Sequence, residues 1–564
     1  MWGVMNLITE IKKAYYQNGG IRAFIGVGAI TGLLGTCFLL DSLCTWIDIS
    51  QISAKVLVSQ ILCSFTYALS ITSFMLILPR KVSRMIFIVF LEWTIFITTV
   101  ACFTKFNFNR VFAGESISIL LGSSWEEICE FMAHYLTVKG ILILSLFVAG
   151  NIAIVRGLWR CKYYQPSKGL LVMFFVLLTP YLIYNAFYIY THRGVINMSN
   201  VFRCCTIRRF TAINVWSKFD SSFGEIKDLK YAVKHPDLPE SLIGPSDDAN
   251  LFGVVVIGES TTRNRWSLYG YSRATTPCID ALQKDIFVFT DLLAAAPYTT
   301  QALRFLLTEA TLGHDSGARY TLSAICSRAK YACSFFSTQN HWSGCDGADS
   351  LFFSDCGTKV WVTDLIKQEE VFDNLLLPYV ASEINCAGNR AVFLHLMGSH
   401  TLPARRYPHE NTVFGKIGDV VPSPERISNS DHYDNSIHFT DSLLGNLIEM
   451  CSKSKRPCFL LYVSDHGETP SSDSWRYYSH RDLWEIPMFI WLSNEYKIRY
   501  PQVSQALLAS CSKPLQLDQL LHGIVSLFQI KPLPTWEANG NFLSNDFKIR
   551  KNREKWTGIS VLSE

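Results

Sequence analysis

Apolar residues are distributed in two quite different ways along this chain. In roughly the first 190 residues they run almost without interruption in five stretches, near 23–43, 56–78, 85–103, 140–156 and 169–190. A bilayer takes about 20 such residues to cross, so each stretch is predicted to be a membrane-spanning helix. From 251 onward the runs shorten and alternate with helical periodicity. Strands are predicted at 252–257, 286–290, 391–396, 458–463 and 486–492, and helices at 300–309 and 432–451. The second helix repeats its apolar positions at Ile437, Phe439, Leu443, Leu444, Leu447 and Ile448. Strands alternating with helices build a largely parallel α/β sheet. The expected architecture is therefore an N-terminal five-helix transmembrane bundle (1–190), an interfacial connector (191–250) and a C-terminal α/β domain with a mainly parallel central sheet (251–564). The polar run from Pro236 to Asn250 marks the last boundary. Between the third and fourth spans, at about 104–138, Ile117–Leu121 and Ile128–Met132 mix with polar residues, a pattern that suits a helix lying on the membrane surface.

Charge orients this arrangement. Lys12, Lys13 and Arg22, then Arg80, Lys81 and Arg84, then Arg156, Arg160, Lys162 and Lys168 fall in alternate loops; the intervening loops carry Asp41, Asp48, Glu115, Glu126, Glu127 and Glu130. By the positive-inside rule the N-terminus is cytoplasmic, and an odd number of spans puts the α/β domain outside, in the periplasm of a Gram-negative cell. The first span is not read as a signal peptide, because four more follow it. Tyr181, Tyr184, Phe187, Tyr188 and Tyr190 form an aromatic belt at the end of the fifth, and Glu92 is an intramembrane carboxylate best read as hydrogen-bonded within the bundle. A mean hydropathy of +0.18 agrees with a membrane protein, whereas a net charge of +4 without a Lys/Arg tract excludes nucleic acid as the obvious partner. Of 17 cysteines, Cys326 with Cys333, Cys345 with Cys356 and Cys451 with Cys458 lie close in sequence. In an oxidising compartment they are expected to be disulfide staples.

The candidate chemistry sits where strands end. Val254–Ile257 runs into Gly258, Glu259, Ser260 and Thr261, and Phe459–Val463 runs into Ser464, Asp465, His466, Gly467 and Glu468. Loops leaving the carboxyl ends of parallel strands converge on one crevice, which would gather Glu259, Asp465 and His466. Two carboxylates and an imidazole suit zinc or another hard cation. A fourth ligand that doubles as nucleophile is offered by Thr299 or Thr300, which follow a predicted strand and open a helix whose N-terminus favours a phosphoryl group. Either threonine could equally be a helix cap. His395 lies inside an apolar strand and reads as core or as support for a ligand. His400 and His480 lie on loops able to reach the crevice, and His409, His432 and His438 read as surface or structural.

These residues carry a resemblance. Gly258–Thr261, Arg263, Ser267–Tyr271, Arg273, Thr275–Pro277, Gly398–His400, Tyr433–Asn435 and Ser464–Glu468 are similar to the bacterial phosphoethanolamine transferases, inner-membrane enzymes of the alkaline phosphatase/sulfatase superfamily. The resemblance implies zinc held by Glu259, Thr299, Asp465 and His466. Thr299 would take phosphoethanolamine from phosphatidylethanolamine and pass it to an envelope glycolipid; His400, His480 and Glu468 would contact the substrate, and His400 and His480, at positions that touch the transferred phosphate or a second zinc, could protonate leaving groups. The loop Ala294–Thr300 lacks the cysteines of the lipid A-modifying branch and looks more like the branch acting on the lipopolysaccharide core. Partners expected on this basis are the lipid donor, a lipopolysaccharide or other envelope glycan acceptor and membrane lipids, with the protein a monomer. Competing expectations are another superfamily phosphodiesterase or a glycerol-phosphate transferase on the same site, and a catalytically dead scaffold. The setting of Pro297, Tyr298 and Thr299 does not supply the Cys/Ser-x-Pro-x-Arg that a sulfatase needs.

Overall fold

A computed structural model of the chain describes residues 242–312, 320–340, 348–366, 370–470, 480–532 and 540–550, with a few single positions besides. The five expected spans, the loop at 104–138, Glu92 and most of the connector lie outside the described residues, except that Val89, Trp93 and Phe96 in the third span are helical. Among the described residues no helix is long and apolar enough to cross a membrane.

Residues 252–492 contain a seven-stranded sheet. Its strands are β1 (Phe252–Gly258), β2 (Ile286–Val288), β4 (Ala332–Ser337), β5 (Thr358–Trp361), β6 (Arg390–His395), β7 (Cys458–Ser464) and β8 (Met488–Leu492). A separate two-stranded ribbon pairs β3 (Leu292–Leu293) with β9 (Leu515–Gln516). The order across the sheet is β2-β8-β7-β1-β6-β4-β5. β7, β1, β6, β4 and β5 run parallel, and β8 turns back antiparallel against β7 and pairs antiparallel with β2.

β1 shows why the centre is apolar throughout. Val255 and Ile257 belong to the core on one face of the sheet, while Phe252, Val254 and Val256 belong to the core on the other. β7 divides the same way, with Phe459, Leu461 and Val463 opposite Cys458, Leu460 and Tyr462. A parallel strand covered on both faces has no polar side to display, so it reads as a continuous hydrophobic run. Each fully buried aliphatic side chain contributes roughly 1.5–3 kcal/mol.

Helices cover the faces. α1 (Thr299–Leu307) packs Ala302, Leu303, Leu306 and Leu307 into the first core; α2 (Leu377–Ile384) and α3 (Asn429–Lys453) pack Val380, Ile437, Leu444 and Leu447 into the second. α3 begins at an N-cap Ser428 whose side chain accepts from Asp431 N. It starts three residues before the predicted 432 because the polar first turn (Asn429, Ser430, Asp431) carries no apolar period. α4 (Leu521–Leu527) adds Leu521, Ile524 and Val525 to the first core.

The cysteines correct an expectation. Cys326, Cys333, Cys356, Cys451 and Cys458 are free and buried, and Cys345 lies outside the described residues. Cys326, Cys333 and Cys356 are embedded in the first core and Cys451 and Cys458 in the second, where each behaves as a small hydrophobe rather than a staple.

Candidate active site

Adjacent parallel strands in register deliver their C-terminal ends to one place. Gly258 pairs with Ser464 and Ile257 with His395, so the residues that follow β1, β6 and β7 meet. Glu259, Asp465 and His466 are all buried there, with ligand atoms within 4.8 Å of one another. His466 Nε2 lies 3.4 Å from Glu259 Oε1 and 3.4 Å from Asp465 Oδ2. Its other ring nitrogen, Nδ1, faces the Gly467 carbonyl at 2.8 Å, which orients the imidazole towards the two carboxylates.

The turn after β1 is held from several sides. Ser260 adopts a left-handed conformation with φ of 56°, a strained choice for a residue with a side chain. Its N–H donates to Asp465 Oδ1 at 3.1 Å and its hydroxyl to Glu259 Oε1 at 2.7 Å. Thr261 N donates to Ser464 Oγ, and the Tyr433 hydroxyl on α3 donates to Ser260 O at 2.8 Å while accepting from Thr262 N. Gly467 packs against the loop that follows it: a Cβ there would lie 1.7 Å from Asp482 O, so only glycine fits.

α1 supplies the hydroxyl. Thr299 is its first residue, and Thr299 Oγ1 donates towards Glu259 Oε1 and Oε2 at 3.2 and 3.1 Å. Thr300 lies one residue further along the same helix, and it is Thr299 that reaches Glu259. Gln339, just past β4, donates to Leu396 O at 2.7 Å and towards Glu259 Oε2 at 3.4 Å. His395 is buried at the end of β6 with Nε2 3.7 Å from Glu259 Oε2.

The remaining candidates are distributed differently. His400 follows the β6 turn and its charge acts on Glu259. Glu468 is buried, and its carboxylate accepts from Thr469 N at 2.9 Å. His480 engages Asp482, with Nδ1 3.4 Å from Oδ2, and its side chain is 42% exposed. His432 and His438 lie on α3, where His432 bonds Tyr407 and Pro424 O.

The electrostatics of this cluster are those of a group of residues that could hold a cation. Burial alone would raise the Glu259 carboxyl, but the imidazoles around it, His395, His466 and His400, hold it well below the ordinary range. Burial, and then the Glu259 charge, push Asp465 up to about 7. Asp465 Oδ2 is buried without a hydrogen-bond donor among the described residues. A buried carboxylate oxygen left so beside a second carboxylate and an imidazole is a conflict that a divalent cation removes, and the donor set fits zinc.

Gln339 and Asp373 escape sequence reasoning. The signal for Gln339 would be recognising 332–337 as a strand, which its mix of alanine, cysteine and serine with two phenylalanines obscures. Asp373 opens a short helical turn, Asp373–Leu376, with no periodic signal, and is buried only by tertiary folding.

Asp434 and Asn435, two motif residues outside the cluster, serve the scaffold. Asp434 on α3, with its side chain fully buried, accepts from Arg265 Nε at 2.8 Å, Arg273 NH1 at 2.8 Å and the Tyr271 hydroxyl at 3.1 Å. Asn435 Oδ1 accepts from Val413 N and Phe414 N. The segment after β1 is thereby clasped to α3.

Comparison with known proteins bears on the family and the fold. The model of the Sulfatase family matches residues 252–530. YhbX of Escherichia coli K12 is 32% identical over 253 residues, 43% of either chain. Phosphoethanolamine transferase EptC of the same strain is 29% identical over 266 residues, 44% of this chain and 46% of that one. The chain thus spans less than half the length of these curated relatives. Among solved structures, the C-terminal periplasmic domain of E. coli EptC superposes with a TM-score of 0.50 at 25% identity, over 58% of this chain and 95% of that one. The integral membrane protein EptA of Neisseria meningitidis, at 19% identity, shares the fold with a TM-score of 0.64 over 92% of this chain and 97% of that one. Residues 252–530 of this chain match the Sulfatase family model, and proteins similar to that region include phosphoethanolamine transferases.

Proposed function

We propose that this protein transfers phosphoethanolamine from phosphatidylethanolamine to a lipopolysaccharide component, a core sugar in preference to lipid A, through a covalent intermediate on Thr299. The observation that carries the reading is the Thr299 hydroxyl, set against both oxygens of Glu259 beside Asp465 and His466. Glu259, Asp465, His466 and Thr299 would hold zinc. When bound there, zinc would lower the pKa of a hydroxyl and take up negative charge on the phosphoryl oxygens.

In the first step Thr299 Oγ1 attacks phosphorus. The Oγ1–P bond forms as the P–O bond to diacylglycerol breaks, and the departing alkoxide takes a proton from an imidazole, with His400 on the adjacent loop as the donor. With zinc held there the Thr299 hydroxyl would give its proton to solvent before the attack, since Glu259, a cation ligand held well below the ordinary carboxylate range, is no base for it. In the second step an acceptor hydroxyl attacks the same phosphorus, its proton passes to His400, and the P–Oγ1 bond breaks to return Thr299 to the deprotonated form in which it attacked. His480 and Glu468 would contact the transferred group once substrate is bound. The position of Thr299 at the start of α1 adds free backbone N–H groups and the positive end of the helix dipole beside the phosphoryl oxygens. The five apolar stretches support an inner-membrane enzyme with its catalytic domain in the periplasm, since donor and acceptor are both lipids.

The test is peptide mass spectrometry after incubation with phosphatidylethanolamine and zinc. A single phosphoethanolamine adduct on the peptide containing Thr299, absent in Thr299→Ala and retained in Thr300→Ala, is expected. Diacylglycerol released without an adduct would make the protein a lipid phosphodiesterase, and neither product would reject the donor.

A further inference from the structure

We infer that Asp373 is a positioning residue for the metal centre, a buried carboxylate whose three hydrogen bonds hold the turn that buttresses Glu259 and carries His400. The inference rests on the proposed reading only in taking Glu259 as a cation ligand.

Asp373 lies on a short helical turn, Asp373–Leu376, and is 2% exposed. Its Oδ1 accepts from Met397 N at 2.8 Å and from the Thr338 hydroxyl; its Oδ2 accepts from Gly398 N at 2.9 Å. Thr338 Oγ1 in turn accepts from Met397 N at 3.0 Å, so two side chains converge on one amide. A single carboxylate thus satisfies two successive N–H groups at the point where the chain leaves β6.

What this turn touches on its other side is Glu259. Ser399 N donates to Glu259 O at 3.0 Å, and Leu396 N to Ile257 O at 3.0 Å. Gly398, with φ of 52°, lies so close that a Cβ would come 2.8 Å from Glu259 O and 2.9 Å from Glu259 N. The Glu259 backbone is therefore pressed against a turn whose position Asp373 sets. Arg406 grips the next residues, its NH2 donating to Thr401 O at 2.6 Å and its Nε towards His400 O at 3.4 Å. Asp373 lies within the field of that guanidinium. The turn carrying His400 is fixed between a buried anion and a cation.

Losing such a support to a ligand characteristically costs about 10–100-fold in metal affinity. Asp373→Asn is nearly isosteric but sets an amide N–H2 against a backbone N–H, so one of the three bonds becomes a repulsion. Thr338→Val is milder, removing one donor to Asp373 and one acceptor for Met397 N. Glu383→Gln is the control. Glu383 is also a buried carboxylate with two partners, Ser334 Oγ at 2.9 Å and Arg390 NH1 at 2.6 Å, but Arg390 begins β6, at the opposite end of the sheet.

The experiment titrates zinc(II) alone into the full chain, freed of metal with a chelator, for wild type and the three variants, and reads folding by thermal melting in parallel. About tenfold weaker zinc binding is expected for Asp373→Asn and about threefold for Thr338→Val, with Glu383→Gln unchanged. Wild-type affinity in Asp373→Asn, or equal losses in Glu383→Gln, would overturn the inference. Where Asp373→Asn does not fold, Thr338→Val decides in the same way. A wild-type protein that binds zinc but forms no phosphoethanolamine adduct would remove the proposed function while leaving the positioning role to stand on these affinities.

Discussion

Glu259 and Asp465 are two fully buried carboxylates that share one imidazole, and Asp465 Oδ2 has no hydrogen-bond donor among the described residues. Function here is set against stability. Asp465→Asn removes one of two like charges and keeps an oxygen for Ser260 N and His466 N, so the metal-free protein should melt no lower than wild type and gain on the order of 1 kcal/mol. Zinc affinity should fall about 100-fold in the same variant, and melting curves with and without chelator would show both effects. An equal loss of stability in both conditions would mean that Asp465 is structural. Gly398→Ala works in the reverse direction. It forces a side chain into a left-handed turn and against the Glu259 backbone, so a cost of about 1–3 kcal/mol is expected together with weaker zinc binding. Glu259, Asp465 and His466 were legible in the sequence because each directly follows a hydrophobic run. Asp373 was not, because nothing local distinguishes it from any polar loop residue.

Two elements meet at Asp434: the long helix α3 and the irregular segment that follows β1. The run Tyr271-Ser-Arg273 and the run Tyr433-Asp434-Asn435 stand some 160 residues apart in sequence, yet Arg265, Tyr271 and Arg273 all close on the one carboxylate. Asp434→Ala should therefore cost about 2 kcal/mol, seen as a lower denaturant midpoint with an unchanged slope, because the three donors lose a shared buried acceptor. A changed slope would show instead that the segment after β1 had come loose in the native state. Strand positions were legible wherever both faces are apolar, as at β1 and β7. β4 and β5 were not: β4 mixes alanine, cysteine and serine with two adjacent phenylalanines, and β5, at the sheet edge, exposes Thr358 and Lys359. The antiparallel turn of β8 was equally invisible, since a buried strand looks the same in either direction.

On the scale of the whole domain, stability should depend on pH through His522. It lies on α4, stacked on Trp536 with ring centroids 4.0 Å apart, and burial lowers its pKa to about 4. Because its folded value is depressed below the usual 6.5, the unfolded chain binds more protons between those limits. Stability from this group is full above about pH 6.5 and is lost as pH falls towards 4, by about 2 kcal/mol after allowance for its partial exposure. His522→Asn should flatten that part of the stability curve, measured by denaturation at pH 7 and pH 4.5; an unchanged slope would assign it to other groups. Hydropathy by itself determined that this chain has an apolar N-terminal third and an α/β remainder. The strand-end motifs by themselves determined which carboxylates and which imidazole would meet, because parallel strands in register bring their ends together whatever lies between. Only the tertiary structure decided that Thr299 rather than Thr300 faces Glu259, that Cys326, Cys333, Cys356, Cys451 and Cys458 stay buried and free, and that Asp373 bonds the turn beside Glu259. Each of those depends on how a helix is rotated or a loop is packed, and such long-range contacts leave no periodic mark in the sequence.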